Sequence, residues 1–230
     1  DYLPGDQDQR DLGVGPHPHR GFAPVTFIFE GEVHHRDSRG NDSIIGKGGT
    51  QWMESGMGII HSERPSNDLC YEGGDYEIVQ FWVNTPSSGK MQIPSYQSLT
   101  EEETPLLTED GGLIEARLVS GKLRGKEGPI QSSSEITSIR MKHQEGGQWQ
   151  TNVPEEYNTL MYVLSGHLKV NGTEVTGKNM IWFKNEGELI NIESIESGNA
   201  IILAGKPLNE KMVHYGPFVM NNETQIMETL

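Results

Sequence analysis

Cysteine is almost missing from this chain. Among 230 residues there is one, Cys70, so no internal disulfide can form. That usage fits a reducing, cytoplasmic setting, and Cys70 reads as a packed, inert thiol. Long apolar runs are missing too. No segment approaches the ~20 residues that a membrane helix needs, which argues against a membrane partner. The amino end, Asp1-Tyr2-Leu3-Pro4-Gly5-Asp6, has neither the basic nor the apolar region of a signal peptide and no initiating Met. It reads as a processed or shortened start. Positive charge is scarce, with 18 Lys and Arg against 33 Asp and Glu. No basic run is interleaved with aromatics, which speaks against direct binding to nucleic acid, because neutralising phosphates takes clustered cations. The acidity favours solubility and specifies no partner.

Long helical periodicity is also scarce. Short apolar segments recur between turn signals, and the 28 glycines supply many of those turns. Val25–Phe29, Val33–Arg36, Ser43–Ile45, Gln51–Met53 and Glu77–Asn84 read as strands of a first half. After a break at Thr85-Pro86-Ser87-Ser88-Gly89-Lys90, Leu113–Val119, Glu135–Met141, Thr159–Gly166, His167–Val170, Asn179–Phe183, Leu189–Ile192 and Ala200–Ala204 read as strands of a second. Thr100-Glu101-Glu102-Glu103 predicts a short, solvated helix start. The run Thr26-Phe27-Ile28-Phe29-Glu30-Gly31 has the form of Met161-Tyr162-Val163-Leu164-Ser165-Gly166, a weak repeat that suggests two copies of one β-unit. The expectation is an all-β chain of jelly-roll barrels, with domains at 1–100 and 101–230.

Two compact pairs carry the chemistry. Gly15-Pro16-His17-Pro18-His19-Arg20-Gly21-Phe22 is answered about forty residues later by Gly56-Met57-Gly58-Ile59-Ile60-His61-Ser62-Glu63. Alternate residues of a strand share a face, so His17 and His19 can aim at one point, and so can His61 and Glu63. Two facing strands would close the four around one metal ion. Three imidazoles and a carboxylate suit iron, copper, nickel, manganese or zinc, and an octahedral site would keep open positions.

These motifs resemble the pirin family of metal-binding bicupins. The likeness runs from His17-Pro18-His19-Arg20-Gly21-Phe22 through Gln51-Trp52-Met53, Gly56-x-Gly58-x-x-His61-Ser62-Glu63, Gln80-Phe81-Trp82-Val83-Asn84-x-Pro86, Lys90-Met91 and Tyr96-Gln97. It returns in Tyr215-Gly216-Pro217-Phe218-Val219-Met220-Asn221. It implies two stacked double-stranded β-helix (jelly-roll) barrels, one divalent transition metal with iron placed first, and His17, His19, His61 and Glu63 as its ligands. Beside a metal-binding bicupin acting on an unassigned small molecule, it implies either of two more specific activities. One is a quercetin dioxygenase that cleaves a flavonol-like molecule with dioxygen, Glu63 serving as general base. The other is a metal-dependent, redox-responsive regulator that binds a transcription factor or a metabolic enzyme. Two departures stand out: the chain has Ala23, where many pirins have a glutamate four residues after the second histidine, and it starts later than pirins do. The first predicts the loss of a carboxylate from the outer shell of the site.

The remaining candidates have plainer readings. His34 and His35 are neighbours on a strand, face opposite ways, and read as a solvated strand. His143, His167 and His214 have no carboxylate at ligand spacing, which leaves the second barrel without an evident metal site. Trp52, Trp82, Trp149 and Trp182 read as packing. Phe22, Trp52 and Met53 are divided between an apolar mouth above the metal and plain packing, and Arg20 between a carboxylate partner and the surface.

Overall fold

β-Branched and aromatic runs become strands where the sequence predicts them, and Glu77–Asn84 does so to the residue. The computed structural model describes Tyr2 and residues 12–230. The readings that concern residues 1 and 3–11, including the missing leader, lie outside these described residues. The chain divides into two compact units, residues 1–103 with 209–230, and residues 104–208.

The first unit holds β1 (Val14–His19), β2 (Phe22–Glu30), β3 (Glu32–Asp37), β4 (Asp42–Gly46), β5 (Thr50–Glu54), β6 (Ile59–Pro65), the short helix α1 (Asn67–Glu72), β7 (Glu77–Asn84) and β8 (Ser95–Leu99). They form two four-stranded antiparallel sheets, ordered β1-β6-β3-β4 and β7-β2-β5-β8. α1 went unpredicted. It is one turn and a half, started by Ser66, whose side chain accepts from the Leu69 amide.

The second unit holds β9 (Leu106–Glu109), β10 (Ile114–Ser120), the two-residue strands β11 (Lys122–Leu123) and β12 (Lys126–Glu127), β13 (Ile136–His143), β14 (Gln148–Asn152), β15 (Asn158–Val163), β16 (His167–Val170), β17 (Thr173–Thr176), β18 (Asn179–Trp182), β19 (Leu189–Glu196) and β20 (Gly198–Gly205). Its sheets run β18-β15-β20-β13-β10-β9 and β14-β19-β16-β17. Each unit is thus a pair of antiparallel sheets, as the predicted jelly rolls require. Among the described residues no helix is long and apolar enough to cross a membrane.

The internal repeat has a structural counterpart. Gly31 and Gly166 each end their strand in the left-handed region, at φ 80° and 82°. A Cβ there would come within 2.7 Å of the Asp75 carbonyl oxygen and 2.6 Å of the Ser197 carbonyl oxygen, so both hairpins exclude a side chain. The helix expected at Thr100–Glu103 is absent. Thr100 and Glu103 do exchange the reciprocal bonds of a capping box, Thr100 N to Glu103 Oε2 at 2.8 Å and Glu103 N to Thr100 Oγ1 at 3.3 Å. Pro105 follows at once and the chain turns into β9, so the cap closes a turn only.

The last residues return to the first unit, where the sequence reading had carried the second barrel to residue 230. They form β21 (Val213–Tyr215), β22 (Phe218–Met220) and α2 (Glu223–Met227). Val219 donates its amide to the Arg20 carbonyl at 3.0 Å. Lys90 is 1% exposed. Its ammonium donates to the Gly21 and Val219 carbonyls at 2.6 and 2.9 Å and to Asn84 Oδ1 at 2.7 Å, using all three protons to tie β22 to the end of the β2–β7 pair where Phe22 meets Asn84.

The two interiors differ in character. The second is filled by Ile114, Leu118, Ile139, Met141, Trp149, Met161, Leu168, Ile192 and Ile202, all buried. The first buries His19, Thr26, His35, Gln51, His61 and Glu63. The second unit buries one histidine, His143, whose Nδ1 lies 2.8 Å from Ser194 Oγ. Burial pushes its pKa down to about 4, against the raising effect of backbone contacts with Ser165 and Glu196.

Two predictions follow from these buried groups. Lys90→Met removes a charged donor from three acceptors and is expected to cost about 2–3 kcal/mol in urea unfolding; an unchanged midpoint would show that the tail is held by other contacts. His143 binds its proton less readily in the folded state. Its contribution is therefore complete above pH 6.5 and is lost as pH falls toward 4. Between pH 7.5 and pH 5 the wild type should lose about 2 kcal/mol more than His143→Asn. Parallel urea curves for the two proteins at both pH values would refute this assignment.

Candidate metal centre

Strand β6 is central to its sheet, and its register builds the site. It pairs with β1 so that His17 lies opposite His61, with a bulge between Val14 and His17. It pairs with β3 so that Asp37 lies opposite His61 and His35 opposite Glu63. Along β6 burial alternates, and His61 and Glu63 both point inward. Among the described residues, one group of three or more possible metal ligands brings its donor atoms within 4.8 Å of one another: His17, His19 and His61.

The donors are prepared for a cation. His17 Nδ1 lies 2.8 Å from the Gly15 carbonyl, which fixes the proton on that nitrogen and leaves Nε2 as a lone pair facing inward. The Nε2 atoms of His17 and His19 are 3.0 Å apart. Two nitrogens each ~2.1 Å from one ion are about 3.0–3.4 Å apart, so this pair can share an ion. His61 is 2% exposed and neither of its ring nitrogens has a hydrogen-bond partner. Burial, then the neighbouring His17, His19 and His35 imidazoles, push its pKa down to about 2. Burial and His17 push His19 down to about 4, with the Pro217 backbone opposing. Both rings are therefore neutral at pH 7, the form that ligates. A buried imidazole with two unmet nitrogens, beside two others, fits a metal.

Glu63 stands apart from the three rings in its bonding. Its Oε1 accepts from Thr26 Oγ1 at 3.1 Å and from Gln51 Nε2, and its Oε2 accepts from Gln80 Nε2 at 2.8 Å. The structure brings the three predicted imidazoles together and turns the predicted carboxylate toward amides.

Several neighbours escaped the sequence reading. His34 and His35 do face opposite ways, but neither is solvated; they are 6% and 1% exposed. His34 Nε2 meets Asp42 Oδ1 at 2.6 Å. His35 Nε2 meets Asp37 Oδ2 at 3.0 Å, lies 5.4 Å from the His61 ring, and stacks flat on Tyr96 at 4.0 Å. Burial pushes the Asp37 carboxyl up, but bonds from His35, Asn41 and the Arg39 backbone outweigh it and hold the group below its ordinary range. The signal was there: His35-x-Asp37 has the same alternation as the two ligand pairs. Gln80 had a signal too, as an amide in an otherwise apolar strand.

The aromatics divide. Trp52 and Trp149 are core, as expected, whereas Trp82 and Trp182 are exposed. Trp82 lies at the site: its ring is 4.3 Å from Phe22 and 5.4 Å from His19, and Phe22 is 5.0 Å from His19. Phe22 thus belongs to the mouth. Trp52 pairs with Val25 while Gln51 pairs with Thr26, so Trp52 faces away from Glu63. Arg20 is buried, and its guanidinium donates to Thr229 Oγ1 at 2.5 Å and Met91 Sδ at 3.2 Å, neither a carboxylate nor solvent. Ala23 pairs with Val83 and shares the face of Val25 and Phe27, opposite Phe22 and Thr26. A carboxylate at position 23 would start on the face turned away from Glu63, so Ala23 removes nothing from the shell seen here.

Comparison with known proteins identifies the family. Residues 1–83 match the sequence model of the Pirin family, and residues 138–230 match that of the Pirin C-terminal cupin domain. A pirin-like protein of Caulobacter vibrioides is 33% identical over 99% of this chain and 82% of its own length. The crystal structure of a quercetin 2,3-dioxygenase from Acinetobacter baumannii is 36% identical, superposes with a TM-score of 0.93, and is matched over 99% of this chain and 78% of its own. A nickel(II) complex of a bacterial pirin from Escherichia coli shares the fold at 21% identity and a TM-score of 0.70, over 85% of this chain and 77% of its own. With its paired sheets, its inward histidines and these matches along most of its length, the chain belongs to the pirin family.

Proposed function

We propose that this pirin is a metal-dependent dioxygenase acting on a flavonol-like phenol, with the metal on His17, His19 and His61. The observation that carries the reading is the pairing of three neutral, inward imidazoles with an exposed aromatic face. Trp82 is 48% exposed and leans on Phe22 directly beside His19. A planar aromatic ring can stack there with its oxygens toward the cluster. The chemistry of the similar quercetin 2,3-dioxygenase from Acinetobacter baumannii supports the choice of substrate.

A redox-active divalent metal supplies the acidity that lowers a phenol's pKa and the electron exchange that lets dioxygen react. Zinc fits the donors but has no redox couple, so iron, nickel, copper and manganese are the candidates. The protein's own part is placement. His17 is oriented by Gly15, and β6 holds His61 between β1 and β3. Trp82 and Phe22 receive the ring and keep water from one side of it. Glu63 supplies a fixed negative charge near the three imidazoles, held there by Thr26, Gln51 and Gln80. Its use as a general base would require it to leave the donors on both its oxygens.

The test is apo-protein reconstituted anaerobically with iron, nickel, copper or manganese, mixed with quercetin and then with dioxygen. At least one metal should bleach the flavonol band only when dioxygen is admitted. His61→Ala should lower that rate at least ~100-fold, as expected for losing an inner ligand. No bleaching with any of the four metals would overturn the reading.

A further inference from the structure

Glu63 is held by two amides, and each amide is itself held at its far end. Gln51 Oε1 accepts from the Tyr96 hydroxyl at 3.0 Å, which leaves the Gln51 NH2 to face Glu63. Gln80 Oε1 accepts from Trp82 Nε1 at 3.2 Å. An indole N–H can only donate, so it fixes which end of the Gln80 amide is oxygen and which is NH2. Both protons of that NH2 are used, one to Glu63 Oε2 at 2.8 Å and one to Thr26 Oγ1 at 2.9 Å. Thr26, having accepted there, spends its own proton on Glu63 Oε1 at 3.1 Å. Every donor round the carboxylate therefore has one orientation available to it.

The path also crosses from solvent to the interior. Gln80 and Trp82 are alternate residues of β7 and share its inner face. Trp82 is half exposed at the mouth beside His19, and Glu63 is buried two residues along β6 from His61, within about 7 Å of strand. Tyr96 on the opposite side is stacked on His35 and bonded to Ser43, so that anchor is closed in. The Trp82 anchor is the one open to the mouth.

We propose that Trp82 and Gln80 are a pair of positioning residues, in which the indole N–H sets the Gln80 amide, the amide sets the Glu63 carboxylate beside the histidine cluster, and metal affinity depends on that chain. The proposal rests on the metal reading of the site. Its consequence is that Trp82 acts on the metal only through Gln80.

A double-mutant cycle tests this, with nickel(II) and manganese(II) dissociation constants measured by calorimetry on metal-stripped protein. Trp82→Phe keeps a ring against Phe22 and His19 and removes only the N–H; metal binding should weaken about 3–10-fold. Gln80→Leu keeps the bulk and removes the amide; binding should weaken about 10–100-fold, the usual cost of losing a partner that orients a ligand. The double variant should bind within about twofold of Gln80→Leu alone, because the second change acts on a link already cut. Thermal unfolding of the metal-free proteins separates folding from positioning, since a merely structural role shifts the midpoint and leaves the dissociation constants alone. Losses that simply multiply in the double variant, or single variants that bind like the wild type, would overturn the proposal. A wild type that binds neither metal would bring down the reading of the site, and this inference with it. A wild type that binds while the variants match it would bring down the inference alone.

Discussion

The register of β6 is the constraint on which the site depends. One strand supplies His61 and Glu63, and its two neighbours supply what lies against them: His17 from β1, and His35 and Asp37 from β3. Side chains alternate with a period of two, so a slip of one residue would send His61 and Glu63 out and bring Ser62 and Arg64 in. The bulge between Val14 and His17 belongs to the same requirement. It takes up an extra residue so that the His-Pro-His segment meets β6 with His17 opposite His61.

That placement has an energetic cost, visible in the contrast between two units of one fold. The second unit is stabilised in the ordinary way, by aliphatic side chains from two sheets. The first fills much of its interior with imidazole, amide and carboxylate. Most of these groups are compensated by bonds to one another, as Glu63, Gln51, Gln80 and Thr26 are. His61 is not, since both of its ring nitrogens go unmet. Burying such a ring costs on the order of 1–3 kcal/mol for each unmet group. A cation at the cluster would reverse that sign. The same burial that holds His61 neutral keeps its lone pair free for a metal, so a destabilising feature of the fold is a binding feature of the site.

The legible part of the molecule follows one rule and the illegible part another. Strand positions, the glycine-ended hairpins at Gly31 and Gly166, and the inward pairing of His17, His19 and His61 follow from local pattern, because a period of two and a left-handed turn are local properties. Tertiary partners are not. Thr100–Glu103 carries a sound helix cap, yet Pro105 ends what the cap begins. The tail from Asn209 carries no mark of which unit receives it, since Gly21, Asn84 and Val219 meet at Lys90 from distant parts of the chain. Trp82 looks like any core tryptophan in Gln80-Phe81-Trp82-Val83; only the end of the barrel at that point leaves it half in solvent.

Strand parity also settles what the sequence left most open. Ala23, compared with a glutamate common among pirins, suggests a weakened outer shell if position alone is considered. Position 23 follows Phe22 in β2, and Phe22 touches His19 while Thr26 bonds Glu63. Residues 22, 24 and 26 therefore share the face of the site, and 23, 25 and 27 share the other, packed against Val83 and Trp52. A glutamate at position 23 would enter an apolar layer, where an unpaired carboxylate is costly; alanine relieves that layer. The shell that matters to Glu63 comes instead from Thr26, Gln51 and Gln80, three strands that each place one polar side chain at the same height. The completeness of the site is thus decided by which face each residue occupies, and by that measure the exchange to Ala23 leaves the surroundings of Glu63 intact.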